Sequence, residues 1–223
     1  MAHRVEMHFH TKEVSGCSIV YAADGIAMLR DCGVEAVVIT DHYADYSMGP
    51  RKDDWQAAVD WYLSGYRAAK AAGDALGVTV LLGMELRLEG AANEYLVYGV
   101  TEQQLREHPC LYALDTAGLC ALAKELNWFV AQAHPFRDYM TRCNPDHLEG
   151  LEICNACPRH NSRNDEATAF AAEHGLIGIS GSDFHAPEDA GRGGCFFEQP
   201  VSCIEDVRDQ LRARTFTPIF PEN

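Results

Sequence analysis

Positive charge is scarce in this chain of 223 residues: 18 Lys and Arg stand against 33 Asp and Glu, a formal net charge of −15 with His neutral. Gripping a nucleic-acid polymer takes clustered Lys and Arg against the phosphates, so a basic-faced nucleic-acid binder is disfavoured. An anionic membrane surface is a poor partner for the same reason. Long apolar runs are missing too. Nothing approaches the ~18 residues that span a bilayer, and the opening MAHRVEMHFH lacks the basic-then-apolar pattern of an export signal. Low-complexity tracts, Pro/Gly-rich linkers and internal repeats are absent. The nine cysteines are odd in number and scattered. That spacing fits a reduced, cytoplasmic protein whose cysteines are mostly small buried hydrophobes.

What is present is the material for one large core. Hydrophobic residues make up 47 % and charged residues 23 %, ordinary for a globular protein. A chain of this length buries roughly 70 % of its unfolded surface without staples. A single domain over 1–223 is expected. Short apolar runs alternate with helical patterns, the signature of βα units around a parallel sheet. Strands are expected at 4–10, 35–40, 78–85, 94–100, 128–134, 150–155 and 176–182, and helices at 22–32, 54–76, 115–127, 162–174 and 204–214. Gly33, Gly77 and Gly175 sit just past helical patterns, where a left-handed residue belongs. Seven strands at this length suggest a closed or nearly closed α/β barrel. The open dinucleotide-binding alternative lacks its G-x-G-x-x-G fingerprint.

The expected strands share one property, a ligand-capable residue at or just past the C-terminal end. In chain order these are His8-Phe9-His10, Thr40-Asp41-His42, Gly83-Met84-Glu85, Ala133-His134-Pro135, Cys154-Asn155 and Ser182-Asp183-Phe184-His185. In a barrel such ends converge on one face, where active sites are built. His8 and His10 are spaced i, i+2 and point to one side of an extended strand; Asp183 and His185 repeat that spacing if the extended backbone continues. Imidazoles and carboxylates gathered in one pocket suit Zn, Fe or Mn.

These motifs, in this order from His8 to about Gly193, resemble the PHP (polymerase and histidinol phosphatase) family. The resemblance implies a distorted (β/α)7 TIM-like barrel with two or three divalent ions at the C-terminal strand ends. It also implies a phosphoesterase acting by attack of a metal-bound hydroxide. His8, His10, His42, Glu85, His134, Asp183 and His185 become the implied ligands, with Glu85 as a bridging carboxylate and Glu85, Asp183 and His185 carrying catalysis. Many relatives place an Asp or His a few residues after H-x-H. Here residues 11–17 read TKEVSGC, so Glu13 or Cys17 stands in as a possible additional ligand.

A phosphate also needs protein donors. Arg137 follows His134, and Arg159, His160 and Arg163 follow the sixth expected strand, at whose end Asn155 lies beside the metals in relatives. The same loop, Cys157 to Arg163, satisfies the C-x5-R spacing of cysteine phosphatases but holds no glycine to cradle a phosphate. Cys154-x-x-Cys157 has no second pair, so a zinc ribbon is disfavoured. Tyr43 or Tyr46 is placed to roof the substrate, whereas Trp55, Trp61 and Tyr62 are expected to pack a helix on the barrel. The expected substrate is a small phosphomonoester, histidinol-phosphate-like, or a nucleotide. An amidohydrolase-like C–N hydrolase and a non-catalytic metal- or ligand-binding module are the alternatives. The terminal stretch 216–223 is expected to dock on its own barrel or on a neighbour; oligomeric state is open.

Overall fold

The computed structural model describes residues 2–221. In chain order it runs β1 (His3–Phe9), α1 (Ala22–Asp31), β2 (Ala36–Ile39), β3 (His42–Tyr43), α2 (Asp45–Met48), α3 (Trp55–Leu76), β4 (Thr79–Arg87), β5 (Glu94–Tyr98) and α4 (Glu102–Glu107). It continues with α5 (Thr116–Glu125), β6 (Phe129–Gln132), β7 (Gly150–Asn155), α6 (Asn164–His174), β8 (Ile177–Gly181), β9 (Cys195–Phe197), α7 (Ile204–Ala213) and β10 (Phe216–Pro218). All seven expected strands and five expected helices form, their ends displaced by at most two residues. The helix limits follow from local chemistry. The Asp54 carboxylate accepts from Ala57 N to start α3, and Gly77, at φ 75°, ends it.

The strands order as β10-β9-β1-β2-β4-β5-β6-β7-β8, with β3 beside β4. Pairings β1–β2–β4 and β6–β7–β8 are parallel, whereas β5 is antiparallel to both neighbours. This corrects the expectation of a wholly parallel sheet. Residues 88–93 between β4 and β5 are too few for a crossover helix, which takes a dozen or more residues, so the chain reverses directly. The reversal carries the first residue of β5, Glu94, opposite Arg87. Glu94 thereby reaches the end of the barrel where the other strands finish.

The ring closes, almost, between β8 and β1. Phe184 N donates to His8 O and His10 N donates to Phe184 O, each at 3.0 Å, and the Phe9 and Phe184 rings stack 4.5 Å apart. Below that point no ladder joins the two strands. A buried carboxylate takes its place: Glu6 Oε1 accepts from Met7 N, His8 N and Ser182 N at 2.9–3.0 Å. The approach is close enough that a Cβ on Gly181 would lie 2.4 Å from His8 Cβ. The result is a distorted TIM-like barrel with a side-chain-filled seam. Its strands are buried on both faces, as helices outside and apolar side chains inside require.

Outside the seam, β9 pairs antiparallel with β1 and β10 with β9. The tail therefore docks on its own barrel; Glu222 and Asn223 lie outside the described residues. Among the described residues no helix is long and apolar enough to cross a membrane.

The seam makes a stability prediction. Glu6→Ala strands buried N–H groups and is expected to cost on the order of 3 kcal/mol. Glu6→Gln keeps an accepting oxygen and is expected to cost less than about 1 kcal/mol. Urea unfolding of both variants decides; equal losses would remove the seam's role.

Candidate metal centre

The site starts from the pleat of β1. His8 and His10, two residues apart, turn their rings inward at 0 % exposure, with Nε2 atoms 3.0 Å apart. β3 sets His42 in register with Glu85 of β4. His134 follows β6 and Asp183 follows β8, with φ of 29° and 52°. The extended backbone does not continue through Asp183: β8 stops at Gly181, and a left-handed residue turns the carboxylate toward the histidines. Two non-glycine residues in this sparsely populated region, both aimed into one pocket, mark a functional constraint.

Glu85 is the hub. Its Oε1 lies 3.1 Å from His134 Nε2 and 3.3 Å from His8 Nε2. Its Oε2 lies 2.8 Å from His42 Nδ1 and 3.3 Å from His10 Nε2. Asp183 Oδ1 closes the opposite wall, 3.4 Å from Nε2 of both His8 and His10. Three groups have ligand atoms within 4.8 Å of one another: His8/His10/Glu85, His42/Glu85/Glu94 and His10/His42/His185. Glu85 belongs to two of them, the position a bridging carboxylate takes.

An outer layer fixes the tautomers. His8 Nδ1 donates to Glu152 Oε1 at 2.9 Å. Ser15 Oγ donates to Asp41 Oδ1 at 2.7 Å, so His10 Nδ1 donates to Ser15 Oγ at 3.2 Å. Both arrangements aim Nε2 inward, the usual way a ligating imidazole is oriented. With His8 protonated, its Nε2–H donates to His10 Nε2 at 3.0 Å, and a bound cation would take that proton's place. His42 Nδ1 and Glu85 Oε2 are buried without a hydrogen bond of proper geometry despite their 2.8 Å separation. This donor set fits divalent cations.

The protonation pattern expresses the same demand. Burial opposes charge on Glu85 and Asp183, yet His8 with His42, and His8 with His10 and Arg137, hold both carboxyls well below the usual range. Burial likewise opposes charge on His8, but Glu152, Asp183 and Glu85 outweigh it and raise its pKa well above 6.5. His10 goes the other way, lowered by burial and by His185 and His42. One rank further out, burial pushes Asp41 up to about 6 against the hydrogen bonds from Thr11 and Ser15.

The centre opens into a cavity of about 810 Å³ lined by His42, Glu85, Glu94, His134, Asp183 and His185 and, above them, Arg137, Arg159, His160, Tyr46 and Tyr139. Arg137 is 6 % exposed and is anchored by Asp183 Oδ2 at 2.7 Å and Asn155 Oδ1 at 2.9 Å. Asn155 lies behind the lining, where its Nδ2 donates to Glu152 Oε2. Arg159 reaches the cavity but is clasped by both oxygens of Asp189. Arg163 is not brought there: Phe136 O and the Asp138 carboxylate hold its guanidinium elsewhere. Glu13 is also spent away from the site, accepting from Ala22 N at the start of α1. Cys17 does face the cavity, its Sγ 3.1 Å from His185 Nε2. Of the two tyrosines, Tyr46 stands at the mouth and Tyr43 is buried in the core. Trp61 reaches the rim as well, under the Arg51 guanidinium 3.6 Å from its ring centroid.

The C-x5-R motif loses its chemistry here. Burial raises the Cys157 thiol above its ordinary pKa, the reverse of nucleophile activation, and Arg163 points away from it. Sequence reasoning missed Glu94, Glu152 and Glu6. Glu94 opens its strand instead of closing it, and the other two read as interior strand residues.

Comparisons with known proteins bear on the fold. Residues 161–216 match a family model described as PHP-associated. The fold is shared with a two-domain protein from Bacteroides vulgatus described as containing a predicted PHP-like metal-dependent phosphoesterase. The TM-score is 0.74 at 19 % identity, over 99 % of this chain and 65 % of that one. It is shared with PsfC from Pseudomonas syringae at a TM-score of 0.67 and 17 % identity, over 98 % and 91 % of the two chains. An amidohydrolase from Chromobacterium violaceum, with bound sulfate and no metal, superposes at 0.58 and 17 % identity, over 96 % and 98 %. No curated protein matches the chain. These three proteins share the barrel fold with this chain, which spans less than two thirds of the Bacteroides protein's length.

If Glu85 bridges cations, metal-stripped protein gains thermal stability on adding Zn2+ or Mn2+, by about 2.7 kcal/mol at 100 times Kd. Glu85→Ala is expected to lose most of that gain. An unchanged metal-induced shift in Glu85→Ala, read by calorimetry, counts against the bridge.

Proposed function

We propose that the protein is a metal-dependent phosphoesterase acting on a small phosphomonoester or nucleotide. One observation carries the reading: the Glu85-centred cluster forms the floor of a cavity whose upper wall bears Arg137, Arg159 and His160. Cation ligands and Arg/His donors lining one cavity suit a compact phosphate.

Divalent ions held by His8, His10, His42, Glu85, Glu94, His134, Asp183 and His185 would supply Lewis acidity and a water of lowered pKa. The chain's own groups do the rest. Glu152 and Ser15 keep the His8 and His10 lone pairs aimed inward. Arg137 holds Asp183 in place and keeps further N–H donors directed at the cavity. Arg159, whose Nη1 and Nη2 are held by Asp189, would offer a phosphate its remaining N–H groups at the cavity wall. His160 is lowered below 6.5 by burial and by Arg137. At the cavity wall it would offer a ring N–H to the bound anion.

The sulfate held by the Chromobacterium protein supports this reading, since sulfate and phosphate share tetrahedral oxygens. That protein's description as an amidohydrolase supports a second reading, hydrolysis of a C–N bond on the same metal floor.

Reconstituted protein challenged with phosphomonoesters, nucleotides and amides separates the two. The expected outcome is phosphate release that chelation abolishes. His10→Ala and Glu85→Ala should lower kcat/KM by more than about 10²-fold, because even outer-layer losses cost 10–100-fold. Cys157→Ser should leave it intact. Amide cleavage without phosphate release selects the second reading, and chelator-resistant activity that Cys157→Ser abolishes overturns both.

A further inference from the structure

We propose that Asp189 is a positioning residue: it clasps one edge of the Arg159 guanidinium and so aims the other edge at the substrate phosphate. This rests on the phosphoesterase reading and specifies how the cavity wall grips an oxyanion.

Asp189 closes the short turn Pro187–Asp189 that follows β8, and it lies at 0 % exposure. An ionised carboxylate buried to that degree needs close donors on its oxygens, and four meet it. Oδ1 accepts from Arg159 Nη1 at 2.6 Å. Oδ2 accepts from Arg159 Nη2 at 2.7 Å and from His185 N and Ala186 N at 2.8 Å each. One carboxylate therefore ties the loop after β7 to the segment that carries His185.

The guanidinium is divided between two tasks. Asp189 takes the end formed by Nη1 and Nη2, and the exposed Glu188 adds a longer contact of 3.3 Å to Nη1. The second edge, Nε with the outer hydrogen of Nη2, makes no hydrogen bond among the described residues. Arg159 lines the cavity beside His160, whereas Asp189 is not among its lining residues. A guanidinium carries five N–H donors in a rigid fork, so two phosphate oxygens can meet the free edge while the other stays clasped. A side chain already held in one rotamer loses little further freedom when the anion binds.

The test uses the full chain loaded with Mn2+, with p-nitrophenyl phosphate as substrate and inorganic phosphate as the ligand in calorimetry. In Asp189→Asn the carboxamide oxygen still accepts from the two backbone N–H groups, but its NH2 faces the guanidinium and releases it. KM and the phosphate Kd are expected to rise about tenfold, the scale of ordering one side chain, with kcat changed by less than about twofold. Arg159→Lys keeps the charge and loses the second edge, so it should show the same rise with Asp189 intact. Adding Asp189→Asn to Arg159→Gln should raise KM no further, because the two residues act as one unit. Glu188→Gln leaves both constants at their wild-type values. Unchanged KM and Kd in Asp189→Asn and Arg159→Lys, additive losses in the double variant, an equal rise in Glu188→Gln, or a fall in kcat alone overturns the positioning role and leaves the phosphoesterase reading standing. A wild-type chain that binds phosphate yet hydrolyses no phosphoester overturns that reading, while the Kd series still decides the anchor.

Discussion

Glu85 lies at 0 % exposure with nitrogens of His8, His10, His42 and His134 within 3.3 Å of its oxygens. Burying an ionised carboxylate costs several kcal/mol unless cations meet it, and neutral imidazoles do not. The cluster therefore requires added positive charge, as protons in the metal-free protein or as divalent ions. Much of the barrel's irregularity follows from bringing these residues together. His134 and Asp183 accept left-handed backbone. Gly181 lacks the side chain that would strike His8. Glu6 replaces a missing ladder where β1 and β8 draw close.

The global acidity takes on a different meaning beside this centre. A net charge of −15 disfavours a polyanion, yet part of the acidity is concentrated where ions would neutralise it. Glu85, Glu94 and Asp183 line the floor of the cavity, while Arg137 and Arg159 line its wall. With those ions bound, a small anion would meet a local cationic surface there, whatever the sign of the whole molecule.

The fold was largely legible because apolar runs of strand length alternated with amphipathic helices, and glycines at 33, 77 and 175 do take left-handed φ. The motifs that converge on the pocket were legible because each falls at or just past the end of a strand. What stayed hidden depended on direction and on three-dimensional neighbours. Nothing in residues 94–98 says that β5 runs backwards, so Glu94 looked remote from the strand ends it joins. Glu152 appears in sequence as one polar residue in a buried strand; only the approach of β1 shows that it holds His8. Arg163 failed for a complementary reason. Its place after β7 is on the correct face, but a nearby carbonyl and Asp138 capture the guanidinium first.

The proposed centre places Glu85 between two cations. Crystals grown with Zn2+ or Mn2+, measured on both sides of the metal's absorption edge, test this directly. The expected result is two anomalous peaks flanking the Glu85 carboxylate, one against His8 and His10 and the other against His42 and Glu94. No peak there, or a single ion that Glu85 does not touch, would contradict it.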